Sequence, residues 1–188
     1  MINIVDNFLE DNLFNEVLNY LNSNEFKEVV VGGKSFWVQF SDQQFDNIVL
    51  EKISNLEGVE RKNIFSFFRT ATEDKDTDWR IHSDAIIDGE RPKRALVLYF
   101  SPSTLKELHG TALWKHKEFG DSLQEDVSFD KFDSVLENDS NDISKWELSS
   151  VIGYKVNRAV TYPCNYFHSK YPNKSWEGGR MVYVMFYK

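Results

Sequence analysis

The segment Trp79-Arg80-Ile81-His82-Ser83-Asp84 sets an imidazole and a carboxylate two residues apart. In an extended strand, residues i and i+2 project from the same face. His82 and Asp84 then stand side by side as two adjacent donors, with Ser83 facing away. A second histidine from a distant strand would complete a two-histidine, one-carboxylate facial triad. Such a donor set leaves three positions of an octahedral ion open, as in the non-haem Fe(II) centres that handle oxygen. His168, in Asn165-Tyr166-Phe167-His168-Ser169, is the candidate third donor. A His-x-Asp pair alone also describes a hydrogen-bonded surface pair, so the joint pattern carries the weight.

Arg180 lies twelve residues after His168, at the start of the run Arg180–Tyr187. A cation leading a buried strand needs an anionic partner, because an unpaired buried charge is costly. The guanidinium fork suits two-point contact with a carboxylate. The alternatives are a snorkelling arginine at a strand edge and a pair with an internal acid.

The elements that must hold these groups are legible as periodicities. Leu9, Leu13, Val17, Leu18 and Leu21 recur at helical spacing, with Glu10 and Asp11 in the first turn. A second helix is expected from Asp42 to about Leu56. Ser41 and Gln44 form a candidate capping box there, and Gly58 is a stop. From residue 63 the pattern turns to strands. The runs 64–69, 94–100 and 180–187 are β-rich on both faces, and shorter candidates are 79–84, 111–114, 150–154 and 159–162. Two helices followed by many short strands predict an α+β layout with a sandwich or barrel.

Composition bounds the function. The chain has 188 residues, 41% hydrophobic and 15% aromatic, enough for one domain with a substantial core. Of the net charge of −8, the segment 121–147 carries −7, nine acidic residues against Lys131 and Lys145. It reads as an insertion over the surface, in which Phe129, Phe132 and Leu136 anchor a short helix. No basic face is left to neutralise a phosphate backbone, so a nucleic-acid substrate is disfavoured. No apolar stretch is long enough to span a bilayer, and the acidic start is unlike a signal peptide. The single Cys164 excludes an internal disulfide framework and predicts a reducing, cytoplasmic setting. Cys164 itself reads as a small buried hydrophobe, and His109 and His116 read as loop or surface histidines. Arg69 lies on an inward strand, where substrate contact and a structural salt bridge are both open.

The ordered set His82-x-Asp84, His168 and Arg180, with Leu98-Tyr99-Phe100 on the strand after the first motif, resembles the 2-oxoglutarate- and Fe(II)-dependent dioxygenases. Within them it is most similar to the prolyl-hydroxylase-like branch. The resemblance runs from about Ile64 to the C-terminus. The opening Ile4-Val5-Asp6-Asn7-Phe8-Leu9 also looks like the start of many such enzymes.

The resemblance implies a double-stranded β-helix, or cupin-like jelly roll. Supporting N-terminal helices would occupy 1–60, and the core 61–188, as a single domain over 1–188. It implies Fe(II) on His82, Asp84 and His168, and 2-oxoglutarate held by Arg180 and Tyr99. Ascorbate is a candidate reductant. The implied reaction is hydroxylation of a peptidyl residue or a small amino-acid-like substrate, with O2 consumed and succinate and CO2 released. Two departures stand out. The family commonly has paired glycines where this chain has Gly110 alone, in Leu108-His109-Gly110-Thr111, and the acidic insertion is long. Two other readings exist. One is a catalytically inactive cupin-like binding module. The other is a nucleic-acid demethylase, which the acidity and the apolar series after Arg180 disfavour.

Overall fold

The computed structural model describes every residue except 73, 76, 77, 102–107 and 173–178. Among the described residues, ten strands form two sheets. A seven-stranded sheet contains β1 (Asn3–Val5), β2 (Lys27–Val31), β3 (Lys34–Gln39), β4 (Asn63–Ala71), β5 (Arg94–Tyr99), β8 (Ala159–Pro163) and β10 (Arg180–Tyr187). Its order is β1-β8-β5-β10-β4-β3-β2, and every pairing is antiparallel. A three-stranded sheet places β6 (Gly110–His116) between β7 (Trp146–Gly153) and β9 (His168–Tyr171). The two sheets face one another as the halves of a double-stranded β-helix, the α+β jelly roll that the resemblance implies.

Side-chain alternation sorts the large sheet into two faces. Leu96, Leu98 and Phe100 point outward with Tyr183, Met185 and Tyr187, and they bury the apolar faces of α1 (Asp11–Ser23) and α2 (Gln43–Glu57). Phe14 stacks on Phe100 at 4.8 Å, and Phe45 meets Tyr183 edge-on at 5.0 Å. Ala95, Val97, Tyr99, Val160, Tyr162, Val182 and Phe186 point the other way and meet Leu113 and Ile152 of the small sheet. This inner layer surrounds the site.

Helix α2 starts and stops where the sequence places it, but its cap differs. The Asp42 carboxylate accepts from the Phe45 amide at 2.8 Å, while Ser41 turns toward Ser66, so no Ser41–Gln44 box forms. An Asp oxygen satisfies an otherwise open N-terminal amide as well as a Ser does. Gly58 closes the helix with φ +67°, a left-handed conformation that favours glycine. The hairpin β2–β3, turning at Gly32-Gly33, is an addition to the sequence reading.

The acidic segment is more than a surface insertion. Helix α3 (Phe129–Asn138) has Phe132 and Val135 on its inner face. With Leu123, Val127 and Trp146 they form a third apolar cluster, which also buries Ile81, Ala85, Ile86 and Phe167. The charges lie on the outer side and the apolar residues pack inward, as amphipathic patterning requires. His116 is buried in this region, not on the surface, stacked on Phe119 at 4.6 Å. Its Nδ1 accepts from the amides of Glu118 and Phe119, and Nε2 lies 3.3 Å from Asp139. His109 is buried as well.

Candidate metal centre

His82 is not part of a regular strand. It forms an isolated antiparallel bridge with His168, through His82 N–H to His168 O at 2.9 Å and the reverse at 2.8 Å. Asp84 N–H then donates to Cys164 O at 2.8 Å. His82 and Asp84 line the cavity while Ser83 does not, so the alternation argued from sequence holds without a full ladder. Ser83 turns away and donates to Cys164 O.

One donor atom from each of His82, Asp84 and His168 falls within 4.8 Å of the others. His168 Nε2 lies 3.2 Å from Asp84 Oδ2, and His82 Nε2 lies 3.8 Å from Asp84 Oδ1. Adjacent donors about 2.1 Å from an ion sit about 3 Å apart, so small rotations suffice to close the set on a metal. The outer contacts already orient both rings. His82 Nδ1 is 3.0 Å from Arg80 O, and His168 Nδ1 is 3.1 Å from Tyr166 O. A carbonyl partner places a proton on each Nδ1, which leaves each Nε2 as the atom available to a metal.

Electrostatics suits a cation. Burial lowers the His82 pKa, and the neighbouring His168 lowers it further, so the ring stays neutral and ligand-competent. Burial works to raise the Asp84 carboxyl, but His168 foremost and then His82 outweigh it, leaving Asp84 below the usual range and ionised. Tyr162 packs against His168 with ring centroids 4.8 Å apart, and burial followed by the nearby Asp84 keeps its phenol protonated.

The three donors open onto a cavity of about 80 Å³ that also meets Arg69, Tyr162, Thr111 and Arg180. Arg180 is 8% exposed and opens β10 opposite Ala71 of β4, on the inner face. Tyr99 is fully buried on the same layer, but it does not line the cavity. Its hydroxyl pairs with Thr111 Oγ1 at 2.6 Å, and Thr111 does line it. Burial raises the Tyr99 pKa while the Arg180 charge opposes the rise, which places Tyr99 within electrostatic reach of Arg180. His82, Asp84, His168 and Arg180 therefore line one cavity, and Tyr99 stands behind Thr111 of its wall. Sequence reasoning missed Thr111, Tyr162, Arg80 and Lys170. Two-residue spacing from His168 and His82 was the available signal for the last two.

Cys164 is buried, and burial raises its thiol, so it is an inert hydrophobe. No helix among the described residues is long and apolar enough to cross a membrane.

No protein-family model matches the sequence, and no curated protein matches it either. Solved structures do match in shape. A prolyl-4-hydroxylase of Pseudomonas putida aligns over 100% of this chain and 91% of its own, at 11% identity and TM-score 0.60. An oxidoreductase of the 2OG-Fe(II) oxygenase family from Burkholderia pseudomallei aligns over 100% and 85%, at 8% identity and TM-score 0.59. HygX of Streptomyces hygroscopicus, solved with nickel, 2-oxoglutarate and hygromycin B bound, aligns over 99% and 82%, at 11% identity and TM-score 0.57. At such identities the likeness is one of architecture, and it agrees with the site assembled above: this chain has the fold of the 2-oxoglutarate- and Fe(II)-dependent oxygenases.

Proposed function

We propose that residues 1–188 act as one domain, a non-haem Fe(II) and 2-oxoglutarate-dependent dioxygenase, which hydroxylates a small amino-acid-like molecule or a peptidyl residue. The observation that carries this reading is the convergence of His82, Asp84 and His168, donor atoms within 4.8 Å of one another, on the cavity that Arg180 enters. Iron would be held by the two Nε2 atoms and the Asp84 carboxylate. When bound, iron and 2-oxoglutarate supply the oxygen activation and decarboxylation that yield succinate and CO2.

The chain's own residues bind, orient and exclude water. The Arg80 and Tyr166 carbonyls hold the imidazoles in one tautomer. Arg180 receives the far carboxylate of the cosubstrate in a two-point contact. Tyr99 aligns Thr111 from behind, and Thr111 offers a hydroxyl at the wall. Val97, Val184 and Phe186 make the remaining wall apolar and keep water away.

Succinate release from 2-oxoglutarate, with Fe(II) and O2, tests the reading. The parent is expected to turn over slowly even without a second substrate. His82→Ala should abolish turnover, and Arg180→Ala should chiefly raise the 2-oxoglutarate requirement. Each charge-assisted hydrogen bond is worth about 1.5–3 kcal/mol, so losing both corresponds to about a hundredfold or more weaker cosubstrate affinity. Turnover of His82→Ala at the parent rate would refute it. A parent that binds metal and never releases succinate would favour the non-catalytic binding module.

A further inference from the structure

Resting on that reading, we propose that the second substrate is a small molecule with an elongated apolar body, and that this body lies along a row of phenylalanine rings running from the metal cavity to the surface. The row is Phe186, Phe67, Phe65 and Phe40. Phe67 and Phe186 line the cavity that holds the donors, with ring centroids 6.4 Å apart. Phe65 continues from Phe67 at 5.3 Å, and Phe40 from Phe65 at 6.2 Å. Exposure climbs outward along the row, from 5% at Phe186 to 41% at Phe65 and 62% at Phe40. Single exposed apolar side chains are ordinary, but neighbouring rings that lead out of a cavity form a patch of the kind that binds. Phe65 and Phe40 add little to the core by their own burial, so folding alone does not account for them.

Strand register ties the row to the metal donors. Tyr162, whose ring packs on His168 at 4.8 Å, stands opposite Ala95, Ala95 opposite Phe186, and Phe186 opposite Phe65. Directly opposed residues share a sheet face. One line on the inner face therefore runs from beside His168 across β8, β5, β10 and β4, over three strand spacings or about 14 Å. Arg180 lies at the other end of β10, opposite Ala71. A cosubstrate held there extends along the strand away from Phe186, which leaves the row to the second substrate. Ala71, Tyr99 and Arg180, the strand ends nearest the undescribed residues, lie toward that far end as well. Backbone pairing decides between a small molecule and a polypeptide. β4 is bonded to β3 and β10, and β10 to β4 and β5, so the row offers rings and no open ladder. A polypeptide laid across it would leave its own N–H and C=O groups against apolar rings, which costs free energy. An apolar body meets no such cost and removes both surfaces from water.

The test uses Zn(II) in place of iron, with saturating 2-oxoglutarate, so that binding is read without turnover. The probes are glycinamides N-acylated with acetyl, hexanoyl and decanoyl chains, uncharged and alike except in apolar length. Zn(II) and 2-oxoglutarate affinities are measured first, and their absence would count against the metal-centre reading itself. With both established, the decanoyl probe is expected to bind about a hundredfold or more tightly than the acetyl probe. Phe40→Gln and Phe65→Gln, both at exposed positions, should each reduce that ratio about fivefold or more, by weakening the decanoyl probe and not the acetyl one. Equal affinities along the series, absence of binding by every probe, a ratio that survives in either variant, or an equal loss for both probes would overturn the proposal. So would sedimentation showing a parent dimer that Phe40→Gln dissociates, which would give the face to a second copy of the chain.

Discussion

Replacing Phe132 by Ala should loosen the metal donors although residue 132 touches no donor. Phe132 is 7% exposed in the cluster that buries Ile81 and Phe167, the immediate neighbours of His82 and His168. Backbone bonds reinforce the link, from Ile81 N–H to Ser140 O at 3.0 Å and from Phe167 N–H to Asp121 O at 3.2 Å. Truncating a buried Phe to Ala removes about 3–5 kcal/mol, combining lost transfer energy with a cavity. If α3 and the donor segments open as one unit, amide exchange across 129–138 and 80–85 should accelerate together, by about 100-fold or more. Zn(II) at about 100 times its Kd stabilises the closed form by about 2.7 kcal/mol, and should slow exchange about 100-fold in both segments. Hydrogen–deuterium exchange by mass spectrometry, with and without Zn(II), reads both effects. Metal protection of 80–85 with no change at 129–138 would refute the coupling and return the acidic segment to a surface cover.

Gly110→Ala should cost several kcal/mol, because a Cβ there would meet the Ile152 carbonyl oxygen at 2.0 Å, a backbone atom that cannot step aside. The urea midpoint checks this, and a variant within about 0.5 kcal/mol of the parent would contradict the close approach of β6 and β7. Burial lowers the His116 pKa, with Asp139 and then Glu118 opposing that shift and Lys145 adding to it. Its contribution to stability is therefore complete above the unfolded value of about 6.5, and is lost as pH falls toward the lower folded value. His116→Gln keeps an acceptor for the two amides and does not titrate. Its urea midpoint should fall less steeply than the parent's between about pH 6.5 and 5, and identical slopes would exclude His116 from the acid response.

The parts of the fold that announce themselves are those in which one force dominates. Arg180–Tyr187 is apolar on both faces and forms β10 over the expected range. The stripe Phe45, Val49 and Ile53 forms the buried face of α2. The convergence of His82, Asp84 and His168 was legible because it needs only local alternation at 82–84 and one distant partner. The hairpin β2–β3 was missed because Val30 and Val31 are largely exposed, so burial leaves no alternating pattern there, although Gly32-Gly33 was an available turn signal. In the acidic segment, counting charge hid Leu123, Val127 and Val135, whose spacing follows no single period because they come from a loop and a helix. His109 and His116 looked like surface residues because burial of a polar ring depends on partners, such as Asp139, that only the folded chain brings close.

The central claim is that His82, Asp84 and the distant His168 hold one ferrous ion with room for a chelating diacid. Anaerobic titration of the protein with Fe(II) and then 2-oxoglutarate, followed by visible absorption, addresses it directly. A weak charge-transfer band that saturates at one equivalent of iron, and is absent from Asp84→Ala, is the predicted result. No band in the parent, or an undiminished band after removal of the Asp84 carboxylate, would contradict the account.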